Sequence, residues 1–122
     1  MSFRFESLDI YQSALSVSKK IFKLVTELNG RKNYAFSDQL ARACLSISNN
    51  IAEGSGSNSA KDFAHFLNIA RRSVFECASI IIILYDNDLI DNSLKISLLS
   101  DLDSLSRRIQ SFRKAILSSY SD

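Results

Sequence analysis

The chain has 122 residues, a net charge of +2 at pH 7, 46% apolar side chains and 23% charged ones. That length suits one domain, residues 1–122, with a core of its own. With no proline and three glycines, a turn-rich β fold is disfavoured. The near-balanced charge also lacks the footprint of a dedicated nucleic-acid binder.

Phe3-Arg4-Phe5-Glu6 alternates apolar and polar residues and is expected to lay its phenylalanines on the end of a helical bundle. A first helix is expected over about 7–29. Ile10, Ala14, Val17, Ile21, Leu24 and Leu28 recur at steps of three and four and so share one face. Leu8, Tyr11, Leu15, Phe22 and Val25 form a second apolar stripe, and Lys19, Lys20, Lys23 and Glu27 take the remaining face. The apolar arc is wide for a helix that covers a single core. Gly30 is the expected stop.

The second helix is expected over 37–53, with Ser37 as N-cap. Leu40, Ala43, Cys44, Ile47 and Ile51 make its core stripe, beside a face of small residues: Ala41, Leu45, Ser48 and Ala52. Arg42, Ser46, Asn49, Asn50 and Glu53 form a polar stripe. Asn50 and Glu53 are expected to meet the third helix near Ser73 and Glu76, or to cap a neighbouring helix end. Gly54 is the expected terminator.

The third helix is expected over 60–86. Ser59 and Asp62 fit a capping box, and Phe63, Phe66, Leu67, Ala70, Val74, Cys77, Ala78 and Ile81 keep helical spacing. Ile80 to Tyr85 is apolar all round, and it continues that spacing without a break. A collar of this kind calls for a second partner, so Ile80, Ile82 and Ile83 are candidates for an oligomer interface. The fourth helix is expected over 92–118, capped by Asp91 or Asn92. Leu98, Leu105 and Phe112, and likewise Leu102, Ile109 and Ile116, repeat every seven residues. Four helices and short connections imply an all-α, antiparallel up-down bundle.

No catalytic constellation is encoded. His65 is the sole histidine, without the paired Glu-x-x-His motifs of a di-iron bundle. His65, Cys44 and Cys77 lack a fourth zinc ligand, and both cysteines read as buried reduced thiols. Gly54-Ser55-Gly56 lacks the lysine and strand of a phosphate loop. Asp86, Asp88 and Asp91 resemble half an EF-hand loop without its glycine and glutamate. The expectation is no enzyme, no metal and no cofactor. The longest apolar run, Ala78 to Tyr85, is far too short to span a membrane, and a cytoplasmic location is expected.

The charge is uneven. Residues 86–103 hold five aspartates against Lys95, whereas residues 104–122 hold Arg107, Arg108, Arg113 and Lys114 against Asp122. Lys19, Lys20, Lys23, Arg31, Lys32, Arg71, Arg72, Arg107 and Arg108 are candidates for contacting nucleic-acid phosphates. The alternative is solvated helix faces. Oligomerisation could gather such weak patches into one field.

Phe3-Arg4-Phe5-Glu6-Ser7-Leu8, Asp38-Gln39-Leu40-Ala41-Arg42-Ala43, Ser46-Ile47-Ser48-Asn49-Asn50-Ile51-Ala52-Glu53-Gly54 and Phe63-Ala64-His65-Phe66-Leu67-Asn68-Ile69-Ala70 resemble the four-helix bundle protein family. Its members include proteins encoded in intervening sequences of bacterial 23S ribosomal RNA genes. The resemblance implies a bundle that assembles as a ring-like homopentamer. It is similar in fold to the accessory protein of diversity-generating retroelements, which binds nucleic acid and reverse transcriptase. RNA or DNA, a protein partner and further copies of the chain are therefore the implied partners. A scaffold without nucleic-acid affinity is the alternative role. On this resemblance Arg42, Asn50, Glu53 and Gly54 form a motif that builds the bundle. Two departures stand out: Ser48 replaces a frequent proline, and Arg71-Arg72 replaces a small pair before Ser73.

Overall fold

A computed structural model of the chain describes residues 2–119; Met1 and residues 120–122, Asp122 among them, lie outside the described residues. A short 3-10 turn, Arg4–Ser7, leads into α1 (Asp9–Gly30), α2 (Tyr34–Ser55), α3 (Ala60–Asp86) and α4 (Asn92–Ser119), with no strand among the described residues. The links are 31–33, 56–59 and 87–91. α1 packs on α2 and α4, and α3 packs on the same two, while the diagonal pairs do not meet. All four helices feed one core, in which Ile21, Leu28, Leu40, Ile51, Leu67, Ile81, Leu98 and Ile109 are fully buried. Each such side chain contributes about 1.5–3 kcal/mol relative to exposure. The Ile80–Tyr85 run stays helical inside α3.

The helix starts follow side-chain capping where the sequence supplies it. Ser59 Oγ accepts from the Asp62 amide at 3.1 Å, and Asp91 Oδ1 accepts from the Leu94 amide at 2.8 Å. α2 differs from expectation. It begins at Tyr34, a turn before Ser37, with Asn33 at the cap position. Ser37 is fully buried instead, donating to Asn29 Oδ1 at 2.6 Å and so tying α2 to the end of α1.

Two helix ends share one device that the sequence hid. At α1 the amides of Lys32 and Asn33 return to the carbonyls of Asn29 and Leu28; at α3 those of Asp88 and Leu89 return to Tyr85 and Leu84. This six-to-one, five-to-two pattern needs one left-handed residue. Lys32 (φ 63°) and Asp88 (φ 59°) take that role. Gly30 lies within the last turn of α1 and is not the stop.

Gly54 does not end α2 either. The helix runs on through Ser55, and Gly54 is buried against α3. A Cβ there would sit 2.8 Å from both Phe63 Cδ1 and Phe66 Cβ. The glycine is therefore needed for close helix approach. Ile80 also departs from expectation: at 7% exposure it belongs to the core and is not free to meet a partner, whereas Ile82 (50%) and Ile83 (44%) are exposed. At the chain start Phe3 is 73% exposed, and only Phe5 is drawn in, edge-on to Tyr11 at 4.8 Å.

Candidate nucleic-acid interface

The inward face of α1 is fully used by Ile10, Ala14, Val17, Ile21, Leu24, Val25 and Leu28, which leaves its lysines outside. Adjacent helix residues differ by about 100° in direction, so neighbouring cations in sequence cannot share a face. The basic pairs divide accordingly. Lys20 turns to α4 and binds Asp101 Oδ2 at 2.6 Å and Ser97 Oγ at 2.7 Å, while Lys19 stays exposed. Arg31 donates to the Leu89 carbonyl at 2.8 Å across the bundle end, while Lys32 stays exposed. Arg71 lies over the Phe75 ring at 4.9 Å, and Arg72 is exposed. Arg108 donates to Ser13 Oγ on α1 at 2.6 Å, whereas Arg107 pairs with Asp103 one turn back at 3.0 Å.

The α1–α4 seam gathers more of the candidates than any other region. Lys20 comes from α1, and Arg107 and Arg108 from α4, while Lys19 and Lys23 are exposed on α1 outside the seam lining. Its two helices meet less extensively than the other neighbouring pairs. The gap is a groove of about 230 Å³ lined by Ser13, Ser16, Lys20, Asp101, Ser104 and Arg108. A second hollow continues it past Asp9, Arg107, Arg108 and Ser111. Serine hydroxyls beside cations are the groups that hold sugar–phosphate backbone. Asp101, Asp103 and Asp9 limit the local field, and the exposed Lys19 and Lys23 carry its unopposed part. Arg71 and Arg72 sit apart on α3, and Arg31 and Lys32 sit at the α1–α2 link. The seam serines were not singled out in the sequence. Only pairing α1 with α4 makes a line of them.

Within the polar stripe of α2, Ser46 and Asn50 are tied to one another and to α3. Asn50 Nδ2 donates to the Ser46 carbonyl at 2.7 Å and to Ser46 Oγ at 3.0 Å, and Ser73 Oγ of α3 donates to Ser46 Oγ at 2.8 Å. Asn50 thus reaches α3 through Ser46. Glu53 and Arg42 are exposed.

Residues 6–111 match the family described as 23S rRNA-intervening sequence protein. The chain belongs to that family. A similar solved structure is a protein of unknown function from the S23 ribosomal protein family of Bacteroides thetaiotaomicron VPI-5482. It is 26% identical, with a TM-score of 0.82 over 86% of this chain and 98% of that one. No curated protein matches the chain. The match spans the Asn50-to-Gly54 motif, the α1 lysines and Arg107 and Arg108.

The remaining chemistry-bearing side chains are held out of reach or in solvent. Burial pushes the Cys77 thiol well above its ordinary value, helped by Cys44 and Glu76. Burial also raises the Cys44 thiol, against the Ser18 hydroxyl 3.2 Å away, which lowers it. His65 is exposed, edge-on to Phe66. Among the described residues no cluster of His, Cys, Asp and Glu could hold a metal ion, and no helix is long and apolar enough to cross a membrane.

Proposed function

We propose that this member of the intervening-sequence family is a non-enzymatic, cytoplasmic, self-associating bundle that binds RNA or DNA along the α1–α4 seam. The observation that carries the reading is the convergence of Lys20, Arg107 and Arg108 beside a row of serine hydroxyls, with Lys19 and Lys23 exposed on the same helix as Lys20. Such a surface tracks phosphates and reads no base edges, so affinity should depend on salt and little on sequence. Fluorescence anisotropy at low salt with a structured RNA and with duplex DNA tests it. Lys19→Glu with Lys23→Glu should weaken binding at least about tenfold and lower the salt slope by roughly two. Absence of binding by the parent chain to either nucleic acid at about tens of micromolar defeats the reading.

The up-down antiparallel order fits this proposal. The pairs Ser13–Arg108 and Lys20–Asp101 run in opposite chain directions, as do Phe63–Phe112 and Tyr85–Lys95. Self-association is supported by Phe75, Ile82, Ile83 and Ile96, apolar side chains each more than two-fifths exposed. The ring of five rests on the family resemblance, and light scattering at micromolar concentration would return a monomer if self-association is wrong. The same apolar side chains favour the second reading, a protein-interaction scaffold. Capture of a partner protein that survives nuclease treatment, with no anisotropy change on nucleic acid, would select it.

A further inference from the structure

A cavity of about 740 Å³ lies away from the α1–α4 seam, at the bundle end where the α2–α3 link meets the 3-10 turn and the close of α4. That volume falls within the ~300–1,000 Å³ usual for small-molecule sites. Its floor is apolar, made by Phe63, Ile116 and Leu117, and its rim is cationic, with Arg4 on one side and Lys61 on the other. No acidic residue lines it among the described residues. Arg4 and Lys61 have no acidic partner among the described residues, and the Arg4 guanidinium stands over the Phe63 ring at 5.4 Å. Ser57, also in the lining, has a side-chain oxygen with less than 1 Å² of accessible surface and no hydrogen-bond partner. A buried hydroxyl left in this way ordinarily marks a missing ligand or water.

We infer that this cavity binds a nucleoside 5′-phosphate unit. A planar, largely apolar ring would cover the floor, and the phosphate would sit between Arg4 and Lys61. A half-turn of the Ser57 side chain would bring its hydroxyl to the same anion, and the first amides of α3, at Ala60 and Lys61, lack intrahelical acceptors and belong to residues that line the cavity. An inorganic anion alone would leave the floor wet, and a neutral ring alone would leave both cations unmatched. The inference is independent of the seam reading, since the two sites share no residue. Two sources carry this chemistry, a free nucleotide and the 5′-terminal nucleotide of a strand.

The test is a ¹H–¹⁵N NMR titration of the full chain with AMP, adenosine and inorganic phosphate. AMP should shift the amides of Ser57, Lys61 and Phe63 saturably, with adenosine and phosphate each at least about tenfold weaker. Arg4→Ala and Lys61→Ala, both at exposed positions, should each weaken AMP with the remaining spectrum unchanged. A saturating response elsewhere on the chain overturns the inference, as does adenosine binding as well as AMP or no saturation by about 10 mM. Comparison of a 5′-phosphorylated oligonucleotide with its 5′-hydroxyl counterpart names the source. Preference for the phosphorylated strand assigns strand ends; indifference, with AMP still bound, assigns free nucleotide. Lys19→Glu with Lys23→Glu should leave AMP binding intact, so failure of the seam reading and failure of this one give different results.

Discussion

Replacing Gly54 by alanine sets two known effects against each other. Alanine in a helix interior is worth about 1 kcal/mol over glycine, so on propensity alone the variant should be more stable. The new Cβ, however, would lie 2.8 Å from Phe63 Cδ1 and 2.8 Å from Phe66 Cβ, where ordinary contact starts at 3.4 Å. The Phe63 ring is 4% exposed and packs edge-on against Phe112 at 5.7 Å, so it has little room to swing. Phe66 Cβ is attached directly to the α3 backbone and can retreat only if α3 itself moves. Overpacking of this kind costs about 1–3 kcal/mol, and forcing one helix away from another belongs at the upper end. The net expectation is a loss of about 1–2 kcal/mol. In a domain of this size that lowers the melting temperature by roughly 3–10 °C. Thermal melts followed by circular dichroism measure it, with Gly30→Ala as the control. Nothing lies within 4 Å of a Cβ at Gly30, so that change should stabilise by up to about 1 kcal/mol. An unchanged or higher melting point for Gly54→Ala would show that α3 yields freely, and the close-approach account of the motif would fail.

Lys32→Gly should raise stability by about 0.5–1 kcal/mol, because Lys32 holds a left-handed backbone at φ 63°; a lower urea midpoint would refute the end-cap assignment. Ser46→Ala and Asn50→Ala should each cost about 1 kcal/mol and be non-additive by at least ~0.5 kcal/mol, since both remove the same contact; strict additivity in a double-mutant cycle would dissolve the network. Alkaline pH should weaken the fold. Burial raises both thiols above 9.0, so the unfolded chain releases protons above that pH while the folded chain keeps them. Their stability contribution is therefore whole below pH 9 and declines above it by up to about 1.4 kcal/mol per pH unit per thiol. Urea midpoints from about pH 8 to 10 that run parallel in the parent chain and in Cys77→Ala would contradict this.

The core was legible because its signal is periodic. The Ile10-to-Leu28 stripe is buried in full. What escaped notice depends on contacts between elements. Gly54 and Gly30 look alike in sequence, and both suggest helix stops, yet one faces two phenylalanines of another helix and the other faces nothing. Ser37 has a good capping side chain, but the chain leaves α1 so tightly that α2 has already begun three residues earlier, and the hydroxyl is spent on Asn29. Ile80 was read with Ile82 and Ile83 as one collar, though on a helix Ile82 lies about 200° round from Ile80, and of the three only Ile80 meets the core. Asn50 is expected from the sequence to meet the third helix near Ser73 and Glu76, or to cap a neighbouring helix end, and it meets Ser73 only at one remove. Ser46 stands between them, which the spacing of the α2 stripe alone could not reveal.

The same geometry governs what the cations can do. A basic dipeptide reads in sequence as a doubled charge, but on a helix it is one cation for a neighbour and one for solvent. Lys20 and Arg108 each close the loosest seam of the bundle against α4 and α1, and they are held by Asp101 and Ser13. Of their sequence neighbours, Arg107 is left at the edge of that same seam and Lys19 is left in solvent on α1. The contacts that fasten α1 to α4 therefore also set the spacing of the free charges beside them. A nucleic acid lying along the seam would meet Lys19 and Lys23 first and then compete with Asp101 and Asp103 for Lys20 and Arg107. Both of those pairs are exposed enough for such exchange to cost little, because surface ion pairs contribute only about 0–1 kcal/mol. Salt should accordingly act in two opposed senses on binding, screening every cation from phosphate while loosening the ion pairs that withhold Lys20 and Arg107, so affinity should fall with ionic strength less steeply than four unpaired cations would require.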